Sequence, residues 1–188
     1  IVAGGGCGFI SATLSNLPDV SNVRPSASSQ IYDVHGNLIT TVHSTENRLP
    51  VPLKDVPKDL QNAFVATEDS RFYTHHGIDP IGILRAVWVN IVHSGVSEGG
   101  STITQQLARN AFLSQDRTFK RKISEALLAL KIEQHYTKDE ILEMYMNQIY
   151  FGQGAYGVQS ASHVYFGKDA SELTLAQAAL IAGLPQSP

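Results

Sequence analysis

The feature that most constrains the fold of this chain is a succession of helix start and stop signals from Pro57 onward. Asp79 occupies a typical N-cap position, Thr137 and Glu140 have the spacing of a capping box, and Gly183 follows an apolar run as a helix stop does. Between these signals, apolar residues recur every three or four positions, which is the helical period. The patterns predict six helices, near residues 57–69, 79–95, 101–112, 120–136, 137–150 and 174–183.

A small β element precedes the helices. Two runs rich in β-branched residues flank Asp33–Asn37, and this arrangement predicts a hairpin of two short strands. The stretch before the hairpin is rich in Ser, Pro and Asn and is typical of a linker. We therefore predict a mainly α domain at 57–188 and a linker with the hairpin at 16–56. The apolar opening run is too short to span a bilayer, and we interpret residues 1–15 as the end of a clipped membrane helix.

Composition and motif spacing exclude several classes of function. The formal net charge of −3 argues against nucleic acid binding. The single cysteine, Cys7, allows no disulfide within the chain and no cysteine-rich zinc site. The glycines of "GQGAYG" have the spacing of a dinucleotide fingerprint, but no βαβ pattern surrounds them, so we interpret them as a turn between helices.

Chemistry-bearing residues concentrate in the stretch "ATEDSRFYTHHG". On the helix that begins near Pro57, Glu68 lies about 80° from Leu60 and about 40° from Phe64 around the axis. Glu68 is therefore predicted at the edge of the buried face, whereas Asp69 is predicted to point outward. A half-buried carboxylate suits a general acid or base, although structural ion pairs more often account for such a placement.

Two further stretches combine polar and basic side chains. In "GGSTITQQLARN", which we expect to begin a helix at Ser101, the paired glycines allow close backbone approach, and Thr102, Gln106 and Arg109 form a polar stripe suited to phosphate oxygens. In "RKISE", the arginine and the glutamate are four positions apart, so an ordinary salt bridge also explains them. Two separated glutamates beside basic residues nevertheless suit a glycosyl transfer that expels a diphosphate.

Five segments, in this order, resemble the peptidoglycan glycosyltransferase domain of class A penicillin-binding proteins, a family 51 glycosyltransferase. They are "EDSRFYTHHG", "GGSTITQQLARN", "RKISE", "KDEILEMYMNQIYFG" and "GAYGVQSASHVYFGK". The resemblance implies a lysozyme-like α fold with two lobes and a membrane-embedded foot. It also implies the polymerisation of lipid II into β-1,4-linked glycan strands, an inverting reaction that releases undecaprenyl diphosphate and that the phosphoglycolipid moenomycin inhibits.

The resemblance further implies roles for particular residues. Glu68 resembles the general base that deprotonates the acceptor hydroxyl, and Glu125 resembles the second essential glutamate, which acts at the donor diphosphate directly or through a divalent cation. No cofactor is obligatory in this interpretation, and the optional cation is Mg²⁺ or Mn²⁺. Arg109 stands where many relatives have lysine, which keeps the charge but not the geometry. The positions that match substrate-binding residues of the family are Asp69, Phe72, His75, Ser101, Thr102, Gln106, Arg109, Asn110 and Arg121.

The implied partners are lipid II, the growing glycan strand, the membrane surface and a transpeptidase domain downstream. The implied location is the bacterial cell membrane, with a single span and the catalytic domain on the extracytoplasmic side. A lysozyme-like muramidase or lytic transglycosylase stays open as an alternative, although neither needs a diphosphate site such as Arg109 and Arg121 would form. A non-catalytic wall-binding scaffold is a further alternative, which the presence of both glutamates disfavours.

The predicted helix at 79–95 raises a separate question, because its residues 81–92 are apolar around nearly the whole circumference. Such a helix is either buried in protein or in contact with lipid. Trp88 suits a membrane interface, where indole rings lie at the level of the headgroups. We therefore predict that residues 81–92 contact the membrane surface.

Overall fold

The computed structural model describes residues 17–21, 28–42, 47–92, 99–113 and 118–186. Within these ranges the chain is mainly helical with a small hairpin, which confirms the predicted fold class. The α-helices are α1 (Lys58–Glu68), α2 (Pro80–Val92), α3 (Ile103–Phe112), α4 (Phe119–His135), α5 (Lys138–Gln148), α6 (Val158–Phe166) and α7 (Leu175–Gly183). The strands are β1 (Ser29–Tyr32), β2 (Leu38–Val42), β3 (Asn47–Arg48) and β4 (Ala155–Tyr156), and 3₁₀ turns occur at Leu53–Asp55, Ala170–Glu172 and Leu184–Gln186. The predicted membrane-helix end at 1–15 lies outside the described residues.

All six predicted helices are present, but α6 is a helix that the sequence patterns did not predict. Its buried residues include Ser160, Ala161 and Ser162, which are small or polar and give no apolar periodicity. The hydroxyl of Ser160 accepts a hydrogen bond from the Leu49 backbone N–H at 2.9 Å. The hydroxyl of Ser162 donates to the Lys168 carbonyl at 2.7 Å. Because these buried hydroxyls have partners, α6 can pack without an apolar stripe.

The chain divides into two compact units. The first unit comprises the described residues of Ile1–Val23 together with Arg71–Thr137, and it contains α2, α3 and α4. The second unit comprises the described residues of Arg24–Ser70 together with Lys138–Pro188, and it contains the strands, α1 and α5 to α7. Each unit therefore brings together segments that are distant in sequence.

The core of the first unit forms where α3 packs on α4. The side chains of Leu107 on α3 and of Leu128 and Ile132 on α4 are fully buried. Several apolar residues of α4 lie outside its buried face: Leu130 is 39% exposed, and Ile123, Ala126 and Leu127 are only half-buried. The buried face instead includes Glu125, a charged residue that a search for apolar periodicity rejects.

A short N-terminal strap, residues 17–21, is fixed to α4 in the same unit. Val20 is fully buried. The ammonium of Lys131 donates to the Pro18 carbonyl at 3.0 Å, and the hydroxyl of Tyr136 donates to the Val20 carbonyl at 2.8 Å. Two hydrogen bonds to backbone carbonyls thus hold the strap at the C-terminal end of α4.

In the second unit, β1 and β2 form the predicted antiparallel hairpin. The carboxylate of Asp33 organises its turn, because Oδ1 accepts the backbone N–H groups of His35 and Asn37, each at 2.8 Å, and Oδ2 accepts the Asn37 side-chain amide at 2.8 Å. These bonds from Asn37 hold the pKa of the Asp33 carboxyl below its usual value. The hairpin is therefore defined mainly by its turn.

The helical part of the second unit is built on α1 and α7, which pack together. Leu60 and Phe64 of α1 are fully buried, and the Phe64 ring meets the rings of Tyr145 and Phe151 edge-on, with centroids 6.1 Å and 6.0 Å apart. These contacts fix the apolar face of α1. They thereby also set the orientation of Glu68, the last residue of this helix, relative to the buried face.

The "GQGAYG" segment is a turn between α5 and α6, as predicted. Gly152, Gly154 and Gly157 have positive φ angles of 85°, 73° and 84°. A Cβ on Gly157 would lie 2.8 Å from the Asn147 carbonyl oxygen, so both conformation and space require glycine there. The segment has a structural explanation that needs no nucleotide.

Candidate active site

Glu68 is the last residue of α1, in the second unit. Its side chain is half-buried and its Oε1 atom is shielded from solvent, which confirms the placement predicted from the helical wheel. The prediction that Asp69 points outward was wrong, because Asp69 is only 8% exposed. The helix has ended at that point: Asp69 has φ −161° and ψ 74°, and a helical wheel no longer applies to it.

The second candidate glutamate, Glu125, lies in the first unit on the buried face of α4 and is 1% exposed. Its two carboxylate oxygens face two different cations. Oε1 lies 3.1 Å from Nη1 of Arg121, one turn earlier on the helix, and Oε2 lies 2.8 Å from Nζ of Lys122. The salt bridge predicted between Arg121 and Glu125 is therefore present, and it is one half of a larger arrangement.

Lys122 extends this arrangement to the segment before α3. Its Nζ atom also donates to the hydroxyl of Ser101 at 2.8 Å. Ser101, Arg121, Lys122 and Glu125 thus form one connected group, which we call the Glu125 cluster. Lys122 was not among the predicted site residues, although its spacing of three positions from Glu125 on a helix indicates such a contact.

The start of α4 sets the direction of these side chains. The hydroxyl of Thr118 caps the helix by accepting the backbone N–H of Arg121 at 3.1 Å. The two cations in the first turns and the single carboxylate of Glu125 leave one positive charge in excess, and the helix N-terminus adds a partial positive charge. The Glu125 cluster is therefore suited to an anionic ligand.

Helix α3 and its N-cap together carry four of the predicted substrate-binding positions. The helix begins at Ile103, two residues later than the predicted start at Ser101, and Thr102 is its N-cap. The predicted polar stripe is not solvated along its whole length: Thr102 is 2% exposed, Gln106 and Arg109 are half-buried, and Asn110 is exposed. Close approach at the preceding glycines is confirmed at Gly100, where a Cβ would lie 3.3 Å from the Cα of Ile83.

The predicted aromatic residues lie in the segment 71–79, which we call the aromatic loop. Phe72 is fully buried, and its ring meets that of His75 edge-on with centroids 6.4 Å apart. The guanidinium of Arg71 pairs with both carboxylate oxygens of Asp79, with Nε 3.0 Å from Oδ2. This ion pair closes the loop on itself immediately before α2.

The predicted site residues are thus divided between the two units. The first unit brings Ser101, Arg121 and Glu125 into one group of contacts through Lys122. It also contains Phe72, His75, Thr102, Gln106, Arg109 and Asn110. Glu68 and Asp69 belong to the second unit. The catalytic and binding roles of all these residues stay predictions.

A divalent cation does not fit the Glu125 cluster as a resident group. Both oxygens of Glu125 face positively charged side chains, which a metal ion would have to displace. Across the described ranges, no three His, Cys, Asp or Glu side chains converge as metal ligands would. We therefore derive no step through Mg²⁺ or Mn²⁺.

Comparison with known proteins decides the family. A model of the family described as Transglycosylase matches residues 35–188. The chain belongs to the Transglycosylase family. This membership confirms the class of enzyme that the sequence predicts, a peptidoglycan glycosyltransferase.

Several curated proteins resemble this member of the Transglycosylase family over nearly its full length. Penicillin-binding protein 1A of Escherichia coli strain K12 is 52% identical over 180 residues, which cover 96% of this chain and 21% of that protein. Penicillin-binding protein 1F of Bacillus subtilis strain 168 is 51% identical over 162 residues, covering 86% and 22% respectively. Penicillin-binding protein 1A of Aquifex aeolicus strain VF5 is 49% identical over 183 residues, covering 96% and 25%. The chain therefore spans about a quarter or less of the length of these relatives.

Proposed function

We propose that this domain polymerises lipid II into β-1,4-linked glycan strands and releases undecaprenyl diphosphate. The observation that carries the proposal is the buried Glu125 held between Arg121 and Lys122, in a chain of the Transglycosylase family. Lipid II is a donor whose leaving group is a diphosphate, and a cluster with excess positive charge suits that group. A hydrolase that cuts glycan strands expels an alcohol instead and has no use for such a cluster.

The Glu125 cluster acts at the donor in this mechanism. As the bond between the anomeric carbon and the diphosphate oxygen breaks, negative charge develops on the leaving group. Arg121 and Lys122 stabilise this charge, with Arg109 of α3 as a further cation. Glu125 holds the two α4 cations in place through its own oxygens, so that they are positioned before the substrate arrives.

Glu68 acts at the acceptor. Its carboxylate takes the proton of the acceptor 4-hydroxyl while the hydroxyl oxygen attacks the anomeric carbon of the donor, and undecaprenyl diphosphate leaves from the opposite face. One C–O bond forms and one breaks, and the configuration at the anomeric carbon inverts. The half-buried position of Glu68, with its Oε1 atom shielded from solvent, supports this role, because a general base must meet the hydroxyl it deprotonates without competition from bulk water.

Helix α2 is the proposed contact with the membrane. Its side chains Leu84, Trp88 and Ile91 are all exposed although they are strongly apolar. Among the described residues, no helix is both long and apolar enough to cross a bilayer. A polyprenyl donor must keep its tail in lipid while its sugars react, so an apolar surface beside the catalytic domain meets a need of the reaction. We place the domain on the extracytoplasmic side of a bacterial membrane, in a protein with a single span and a transpeptidase domain downstream.

Incubation with labelled lipid II tests the proposal directly. We expect wild-type protein to form glycan polymer, Glu68→Gln to be slower by about 10²- to 10⁴-fold, and the matched variant Asp59→Asn, an exposed acid on the same helix, to be unchanged. Glu68→Gln with near wild-type rates and intact folding would remove the general base from the mechanism. If wild-type protein instead cleaves preformed glycan strands, the muramidase alternative is correct.

A further inference from the structure

The hydroxyl of Thr102 is fully engaged in bonds within the first unit. It donates to the carbonyl of Gly77 at 2.7 Å and accepts the backbone N–H of Gln105 at 3.1 Å. The Gln105 side chain returns the contact by accepting the Thr102 backbone N–H at 3.1 Å, which completes a capping box. With its donor already used and its side chain buried, Thr102 has no hydrogen left to offer a substrate.

The partner of Thr102 lies at a point where the backbone has little freedom. Gly77 has a φ of 86°, and a Cβ at that position would lie 2.9 Å from the carbonyl oxygen of Ala129 on α4. Gly77 therefore packs directly on the α4 backbone. Its carbonyl is presented to the start of α3 from this fixed position.

The bond between Thr102 and Gly77 consequently joins two groups of predicted site residues. On one side is the aromatic loop with Phe72 and His75. On the other side is Ser101, the neighbour of Thr102, which accepts a hydrogen bond from Lys122 of the Glu125 cluster. A shift at this bond would displace both groups relative to each other.

We infer that Thr102 is a positioning residue, whose hydroxyl fastens the aromatic loop to the start of α3, and not a ligand of the substrate. This replaces the substrate-binding role that the family resemblance implies for Thr102. Its effect on turnover rests on the proposed function, since the loop and the Glu125 cluster must act on the same donor. Its effect on the loop does not depend on any activity.

Three substitutions separate the functions of this hydroxyl. Thr102→Ser keeps both the cap and the bond to Gly77. Thr102→Asp keeps an acceptor for the cap but has no proton to donate to the carbonyl when ionised. Thr102→Val removes both. The matched control is Thr174→Val on α7, because Thr174 forms the same capping box with Gln177 but is exposed.

The experiment measures amide hydrogen exchange in residues 71–79, together with kcat and KM for lipid II. We expect Thr102→Val and Thr102→Asp to speed exchange in the aromatic loop and to lower kcat by about 10- to 100-fold with little change in KM. Thr102→Ser should restore both properties. Thr174→Val should speed exchange only near the start of α7 and leave kcat unchanged.

Two results would overturn the inference. If Thr102→Val raises KM while loop exchange stays at the wild-type rate, Thr102 contacts the substrate. If Thr102→Ser and Thr102→Asp behave alike in loop exchange, the bond to Gly77 does not hold the loop, and this comparison decides the matter even where Thr102→Val does not fold. Wild-type protein that fails to polymerise lipid II would refute the proposed function alone, because the exchange measurements are made without substrate.

Discussion

Helices α2 and α4 belong to the same compact unit but reverse the usual relation between polarity and burial. On α2, apolar side chains face outward, and Trp88 is 69% exposed. On α4, the charged side chain of Glu125 is almost completely buried between two cations. Such an inversion costs stability, because apolar area stays in water and a charge is taken out of it.

The difference between the two helices indicates which features serve function. Folding alone would favour burial of the Trp88 face and exposure of Glu125. We therefore expect that the exposed apolar residues of α2 can be substituted without loss of folding. We also expect that substitution of Glu125 or its ion-pair partners on α4 lowers activity.

For these two helices, the largest effect is expected from Glu125→Gln. The amide keeps the shape of the side chain but leaves Arg121 and Lys122 facing a neutral group, so their placement at the donor is lost. Polymerisation of lipid II should fall by about 10²- to 10³-fold. The control is Glu133→Gln on the same helix, whose carboxylate accepts the Thr104 hydroxyl at 2.6 Å and has no proposed role in the reaction. Equal loss of activity in both variants would mean that α4 tolerates no loss of negative charge, and it would contradict the specific role of Glu125 in placing the two cations.

A smaller effect is expected from Arg121→Ala, which removes one cation and leaves Lys122 in place. We expect kcat to fall by about 10- to 100-fold and the affinity for moenomycin to fall as well, because both measure the anion site. Arg121→Lys keeps the charge without the planar guanidinium and should be intermediate. Unchanged affinity for moenomycin in Arg121→Ala and Arg109→Ala would refute a shared anion site.

On the other side of the comparison, Trp88→Gln combined with Ile91→Gln should reduce binding to liposomes several-fold. The free energy of unfolding should change by only about 0.5 kcal/mol per substitution, because both side chains are exposed. Leu107→Ala on α3 is the contrasting variant. Because the Leu107 side chain is fully buried, its truncation should lower the free energy of unfolding by about 2–5 kcal/mol. If the α2 double variant loses cooperative unfolding instead, then α2 is a core helix and the membrane contact is wrong.

The smallest effect is expected in the hairpin, which belongs to neither helix. Hydrogen bonds from Asn37 lower the pKa of Asp33, so the ionised carboxylate stabilises the turn above the pKa of the unfolded chain, and this stabilisation is lost as the pH falls through the lower folded value. The protection factor of the Asn37 amide, which is the ratio of its intrinsic to its observed exchange rate, should therefore fall at acid pH. The protection factor in Asp33→Asn should show no such transition. Transitions of equal size in both proteins would assign the effect to another group.

The fold could be predicted where local chemistry determines the structure. The hairpin follows from its turn, and the helices with clear caps and apolar periods were found within a few residues of their ends. Periodicity did not reveal features that depend on polar contacts in the interior. The burial of Glu125 on α4 is accompanied by ion pairs with Arg121 and Lys122, and α6 buries serines whose hydroxyls have partners elsewhere in the chain.

The candidate site was predictable to a similar degree. The position of Glu68 follows from its angle to Leu60 and Phe64, and the pair formed by Arg121 and Glu125 follows from helical spacing. The burial of Asp69 did not follow, since the helix ends one residue before it. The engagement of Thr102 by Gly77, 25 positions earlier, depends on a long-range contact that no local pattern contains.

The N-terminal strap gives α4 a mechanical role. The carbonyls of Pro18 and Val20 attach the strap to the C-terminal end of this helix by accepting hydrogen bonds from Lys131 and Tyr136. Tension applied to the strap is therefore expected to act first on the C-terminal end of the helix that also carries Glu125.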